Sequence, residues 1–234
     1  KNTLKDFYKY LDGKIGELIN LLNENVKLII LSDHGITRMH NRINLTDWLI
    51  KNKYMVLKKQ IKEKGKFDPK MVNWEKTRVF AIGAYEGQIF INLKNREPNG
   101  LVKDEEYSDL IQELAEKLKK IPGDDGKKLD TKIYVKERDY NGKSLEDAPD
   151  MIIYFDNLEY GCNTSLIGNE TLWSPSTAKG SDDTAHSRQG IFIMNRGNIN
   201  QKFLGEVEAI DIAPTILKEL RIDIPKDMRG KIIN

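Results

Sequence analysis

The spacing of apolar residues changes along the chain, and each spacing predicts an element. Leu4, Phe7, Tyr8, Leu11, Ile15, Leu18, Ile19 and Leu22 recur at intervals of three and four, which is one face of a helix over residues 3–22. Thr3 with Asp6 has the form of a capping box at its start, with Asp in place of the usual Glu. Val26, Leu28, Ile29, Ile30 and Leu31 make a nearly continuous apolar run, opened by Asn23-Glu24-Asn25 and closed by Ser32-Asp33-His34-Gly35. That pattern predicts a strand buried on both faces, as in a parallel sheet. Asn44 with Asp47 starts a short helix through Trp48, Leu49 and Ile50, and 54–57 is expected as a short strand. Residues 78–82 and 88–93 predict two strands joined across Gly83 and Gly87 as a hairpin-like pair.

Leu110, Ile111, Leu114 and Leu118 define one face of a helix over 104–121, stopped by Pro122-Gly123. Residues 133–135, 151–155 and 191–194 predict further strands, and Asp211 is the expected N-cap of a helix through Ile216, Leu217 and Leu220, with Pro214 in its first turn. Residues 157–188 show no sustained periodicity and are rich in Gly, Ser, Thr and Asn. A loop of that length inside a domain is usually functional or disordered. Helices alternate with short apolar strands, so the class is α/β.

Composition removes several function classes. The chain has 234 residues, enough for a sizeable core, with 39% apolar and 32% charged residues. Lys+Arg is 38 against Asp+Glu 36, so the balance gives no footprint for nucleic acid or an anionic membrane. The charged run at 58–66 lacks interleaved aromatics and reads as a solvated loop or lid edge. No apolar run approaches the roughly 20 residues of a membrane-spanning helix. The single Cys162 excludes an internal disulfide and a cysteine zinc cluster, and points to a reducing, cytoplasmic compartment. The chain opens Lys1-Asn2-Thr3 without Met and is expected to start inside a longer polypeptide.

The candidate chemistry lies in the histidines: His34, His40 and His186. Asp33 and His34 follow a predicted strand at the end where α/β sheets bind ligands, and Gly35 lets the backbone turn away. His186 ends the long loop just before another strand. Asp and His supply O and N donors, which suit Zn²⁺ and related divalent ions. The plainer reading keeps Asp33 as a turn cap and His34 and His186 as ordinary loop histidines. Arg42, Lys179 and Arg188 lie near these motifs, as contacts for a substrate phosphate or as solvated loop cations. Trp173 is a stacking surface or a packing residue.

The run Leu-Ile-Ile-Leu-Ser-Asp-His-Gly at 28–35 resembles the second metal motif of the alkaline phosphatase superfamily, in its type I phosphodiesterase/nucleotide pyrophosphatase branch. Four further stretches agree in order. Residues 44–57 resemble the family's helix and following strand, and 87–100 its strand and Lys-x-Arg-Glu-Pro-x-Gly loop. Residues 184–194 resemble the segment of its last histidine ligand, and 210–231 its closing Asp-Ile-Ala-Pro-Thr-Ile-Leu helix and tail.

The resemblance implies an alkaline-phosphatase-like sandwich with a mostly parallel central sheet between helices. It implies metal-dependent hydrolysis of phosphate esters or phosphodiesters, with small-molecule or nucleotide substrates and two divalent ions, Zn²⁺ first and Mn²⁺ or Mg²⁺ as alternatives. Asp33 and His34 match the adjacent pair on one metal, and His186 matches the late histidine on the other. The family's Thr or Ser nucleophile, early Asp and Asp-x-x-x-His pair precede the first of these motifs, and none has a match here. The chain is therefore expected to be the C-terminal part of one catalytic domain, with 58–155 partly an inserted or cap-like region. The nucleophile is expected upstream of residue 1, and the missing half is a possible partner. Rival readings are the sulfatase or phosphoglycerate-mutase branches, or a non-catalytic metal-binding or interaction domain.

Overall fold

The structure, a computed structural model, describes residues 2–23, 26–179, 183–195 and 203–233, without the side chains of 178 and 179. In chain order its elements begin with α1 (Thr3–Ile19), β1 (Leu28–Leu31), β2 (Gly35–Arg38), β3 (Asn41–Asn44), α2 (Leu45–Lys51), β4 (Gly65–Lys66), β5 (Val79–Ile82) and β6 (Gly87–Ile91). Next come α3 (Asp104–Leu118), β7 (Lys132–Val135), α4 (Lys136–Asp139) and β8 (Met151–Tyr154). The chain closes with β9 (Tyr160–Asn163), β10 (Leu166–Ile167), β11 (Trp173–Pro175), β12 (Thr184–Ser187), β13 (Phe192–Asn195) and α5 (Ile212–Glu219). Backbone contacts divide the chain into two units, Lys1–Asp33 with Gly190–Asn234, and His34–Gln189.

In the first unit, β1 pairs antiparallel with β13, from Leu28↔Asn195 to Leu31↔Phe192. The apolar run thus forms a strand, but neither parallel nor buried on both faces: Leu31 is 45% exposed. A run of apolar residues reports affinity for a core, not the number of strands hydrogen-bonded beside it. Glu24 and Asn25, read as part of the turn before this strand, lie outside the described residues. Helix α1 forms where its periodicity predicts, with no residue buried. Its N-cap is Asn2 without a side-chain cap bond, and Thr3 is already helical, so the expected capping box is not made. Asp211 does sit at the start of α5, but its carboxylate accepts from the backbone N–H of Lys231 at 2.7 Å. Thr215 accepts from the N–H of Ile233 at 3.0 Å. Both bonds tie the C-terminal tail to α5.

The second unit holds the main core. Its largest sheet has the order β5-β6-β8-β7, antiparallel throughout. Strand alternation puts Val79, Ala81, Ile89, Ile91, Ile133, Val135, Met151 and Ile153 on the buried side. They share one apolar cluster with Leu110, Ile111, Leu114 and Leu118 of α3, the four residues its helical periodicity selects. Burial of each of these Val, Ile, Leu and Met side chains stabilises by about 1.5–3 kcal/mol. On the other side Phe80 and Phe90 stack across the hairpin, centroids 5.2 Å apart.

A second sheet, β11-β3-β9, contains the one parallel pairing between these strands among the described residues, β3 with β9. The architecture is therefore mixed α/β with small, mainly antiparallel sheets, not one mostly parallel sheet. At the centre of β11-β3-β9 is a satisfied polar network. Buried Asn44 accepts from Asn163 Nδ2 at 2.7 Å and from Ser174 Oγ at 3.0 Å, and donates to the Thr171 carbonyl at 2.9 Å.

Two expectations fail in this unit. The described part of residues 157–188 is not irregular: it carries β9 to β12, short strands that pair with β2, β3 and β4. These strands lack the apolar runs that mark β1, β5 and β8, and β9 is buried at every position, so no alternation announces them. Residues 54–57 form no strand. Tyr54 is buried, its hydroxyl donates to Glu113 at 2.6 Å, and Leu57 makes an isolated bridge to Val72. Among the described residues no helix is long and apolar enough to cross a membrane.

Candidate functional site

Strands β2 and β12 pair antiparallel, with Gly35 opposite Ser187 and Ile36 opposite His186. This register brings two segments separated by about 150 residues of sequence to one place, as a sheet pairing does irrespective of chain distance. The glycine at 35 serves close approach: a Cβ there would stand 1.9 Å from the carbonyl oxygen of Gln189. Gly35→Ala is expected to destabilise the second unit by about 1–3 kcal/mol, because the pairing must open to admit the methyl. Thermal unfolding checks this, and an unchanged Tm would show that the approach is slack.

His34 and His186 meet here. Their ring centroids are 4.1 Å apart at 79°, an edge-to-face contact. His34 Nδ1 lies 2.8 Å from the carbonyl oxygen of Gly35. A carbonyl only accepts, so Nδ1 is the donor in this contact. That is the arrangement in which an imidazole ligates a metal, its second nitrogen fixed by a backbone carbonyl. His34 is exposed and His186 half-buried. Asp33, exposed, directly precedes His34, where one unit gives way to the other. Two imidazoles in contact are nitrogen donors of a kind that suits a borderline divalent ion such as Zn²⁺. Among the described residues no group of three or more His, Cys, Asp or Glu side chains is gathered tightly enough to hold an ion by itself.

The other candidate residues are placed differently. Arg42 is only 4% exposed, and its Nε and Nη1 donate to the carbonyls of Ser176 and Ala84, both at 2.8 Å. Arg188 is exposed, its guanidinium 5.4 and 5.1 Å from the ring centroids of Tyr134 and Tyr154, and it donates to the Tyr134 hydroxyl at 2.7 Å. Burial, followed by the charge of Glu86, raises the Tyr154 phenol above its ordinary pKa, while Arg188 opposes the shift. Lys179 closes a 3₁₀ turn, Ser176–Lys179, and its side chain lies outside the described part. His40 is engaged elsewhere, stacked on Tyr160 with its Nε2 3.4 Å from Glu159. Trp173 packs against the core, its indole N–H donating to the Pro122 carbonyl at 3.1 Å.

One neighbour of His186 carries no motif that could have flagged it. Tyr85, in the turn between β5 and β6, stands edge-to-face against His186 at 4.4 Å, with Arg42 5.9 Å from its ring centroid. Only spatial contact identifies it.

The family model for type I phosphodiesterase / nucleotide pyrophosphatase matches residues 1–165, which include Asp33, His34, Arg42 and Tyr85. No curated protein and no solved structure matches the chain. The match distinguishes this branch from the sulfatases and phosphoglycerate mutases. Covering well over half of the chain, it shows that the protein belongs to the type I phosphodiesterase/nucleotide pyrophosphatase family of the alkaline phosphatase superfamily, whose chemistry is phosphoester hydrolysis.

Proposed function

We propose that the chain supplies part of a two-metal site that hydrolyses phosphate esters or phosphodiesters of nucleotide type. Asp33, His34 and His186 are the proposed ligands, with Zn²⁺ the first candidate and Mn²⁺ or Mg²⁺ alternatives. The observation that carries the reading is the contact of His34 with His186, one imidazole tied through Nδ1 to a carbonyl. Bound divalent ions would polarise the phosphate and lower the pKa of the attacking group. The residues here orient that chemistry. The Gly35 carbonyl fixes the His34 tautomer, and Asp33 adds an oxygen donor. Arg188, backed by two tyrosine faces, keeps N–H groups for a phosphate oxygen. Lys179 is proposed for the same task.

No position in residues 1–234 matches the family's nucleophile, so the proposed reaction draws on residues outside this sequence. The superfamily's parallel-sheet sandwich is proposed for the whole enzyme, with 58–155 as its inserted, cap-like region. The antiparallel sheet and α3 within that range support this division.

Calorimetric titration of the chain with Zn²⁺ tests the ligands. Wild type is expected to bind, and His34→Ala and His186→Ala each to lose about tenfold or more in affinity. Equal affinity in all three proteins would overturn the assignment and favour a non-catalytic domain.

A further inference from the structure

We propose that Tyr85 is a positioning residue that holds the imidazole of His186 in its ligating orientation; the inference rests on His186 being a metal ligand. A histidine ring turns about a broad, two-fold torsion, so a ligand histidine needs something to fix it. The usual device is a hydrogen bond from its second nitrogen, which His34 has. Among the described residues His186 makes no such bond. Rings confine it instead, with His34 at 4.1 Å and Tyr85 at 4.4 Å, both edge-to-face.

A wall must itself be fixed, and the turn bearing Tyr85 is. Gly83 has φ 132°, and a Cβ there would stand 2.0 Å from the Glu86 carbonyl oxygen. The Gly83 carbonyl accepts from Thr164 Oγ1 at 2.8 Å. The Ala84 carbonyl accepts from the N–H of Cys162 and from Arg42 Nη1, both at 2.8 Å. Tyr85 also packs on the small cluster of Met39, Leu158 and Ala185, the last being the residue before His186. A hairpin turn within the proposed cap-like region thus sets the geometry of a ligand on β12.

Zn²⁺ titration and the ring-proton NMR signals of His186, assigned by their loss in His186→Gln, test this in the full chain. Tyr85→Phe keeps the ring and is expected to bind Zn²⁺ within about twofold of wild type. Tyr85→Leu keeps apolar packing but not the ring. It is expected to lose about tenfold in affinity and to shift the His186 signals, with the amide spectrum of β5 and β6 retained. If Tyr85→Leu binds like wild type while His186→Gln does not, the role of Tyr85 is refuted and the ligand assignment stands. If His186→Gln leaves Zn²⁺ affinity unchanged, the ligand assignment falls, and this inference with it.

Discussion

Asp150→Ala is expected to destabilise the second unit by about 3–5 kcal/mol, the range for breaking a buried ion pair from one side. Asp150 is fully buried. Its Oδ1 accepts from Arg96 Nη1 at 2.7 Å and from the Tyr107 hydroxyl at 2.9 Å. Its Oδ2 accepts from Arg96 Nη2 at 2.7 Å and from the Ile91 N–H at 2.6 Å. One carboxylate therefore joins β6, the loop after it and α3. The bonds to Asp150 hold the Arg96 guanidinium well above its ordinary pKa. Burial first, and then the Asp150 charge, push the Tyr107 phenol well above its ordinary 10.0. The sign follows from linkage. A pKa raised in the fold gives a contribution complete below pH 10.0 and lost as pH climbs through the higher folded value. Removing the carboxylate takes from the partly buried guanidinium its two-pronged partner, leaving Glu97 at 3.1 Å and the Ile91 carbonyl at 2.6 Å, and leaves the Ile91 N–H without its acceptor. Asp150→Asn keeps the shape and some of the bonds and should cost less. Urea denaturation of the three proteins decides the matter, and a loss under about 1 kcal/mol for Asp150→Ala would refute this account.

Arg96 also marks the limit of what the sequence made legible. The Lys-x-Arg-Glu-Pro-x-Gly loop was recognisable as a family feature, but the partner of its arginine lies 54 positions away and carries no motif. Helix α3 was readable because a long element with one buried face repeats its period several times, and the β5–β6 hairpin because two apolar runs are joined by a short connection bounded by Gly83 and Gly87. β9 to β12 were not, since each is held by a distant segment and lacks such an apolar run. The apolar run at 26–31 located β1 correctly and misjudged its neighbours. In the candidate site, residue type and family order single out Asp33, His34 and His186 as expected ligands, and the pairing of β2 with β12 brings the two histidines into contact. Arg42 lies near the motif in sequence, and in the fold its Nε and Nη1 donate to backbone carbonyls of Ser176 and Ala84. Tyr85 carries no sequence signal because a tyrosine in a hairpin turn has no fixed spacing to the histidine it touches.

A polypeptide limited to residues 1–234 is expected to hydrolyse p-nitrophenyl phosphate and bis-p-nitrophenyl phosphate no faster than metal-containing buffer. Phosphoester hydrolysis through a covalent intermediate needs a nucleophile whose pKa is lowered at the reacting centre. No residue here matches the family's Thr or Ser in that role. Zinc in catalytic sites takes about three protein ligands per ion, so the proposed two-ion site would need more donors than Asp33, His34 and His186 supply. A longer polypeptide that carries residues 1–234 together with the nucleophile, early Asp and Asp-x-x-x-His motifs is expected to turn over both substrates. His186→Ala in that polypeptide should return the rate to background, whereas Arg188→Ala should raise KM with a smaller change in kcat, since it removes a contact to the bound phosphate and no ligand. Robust turnover by residues 1–234 alone, surviving His186→Ala, would show that the catalytic apparatus lies somewhere other than beside β2 and β12.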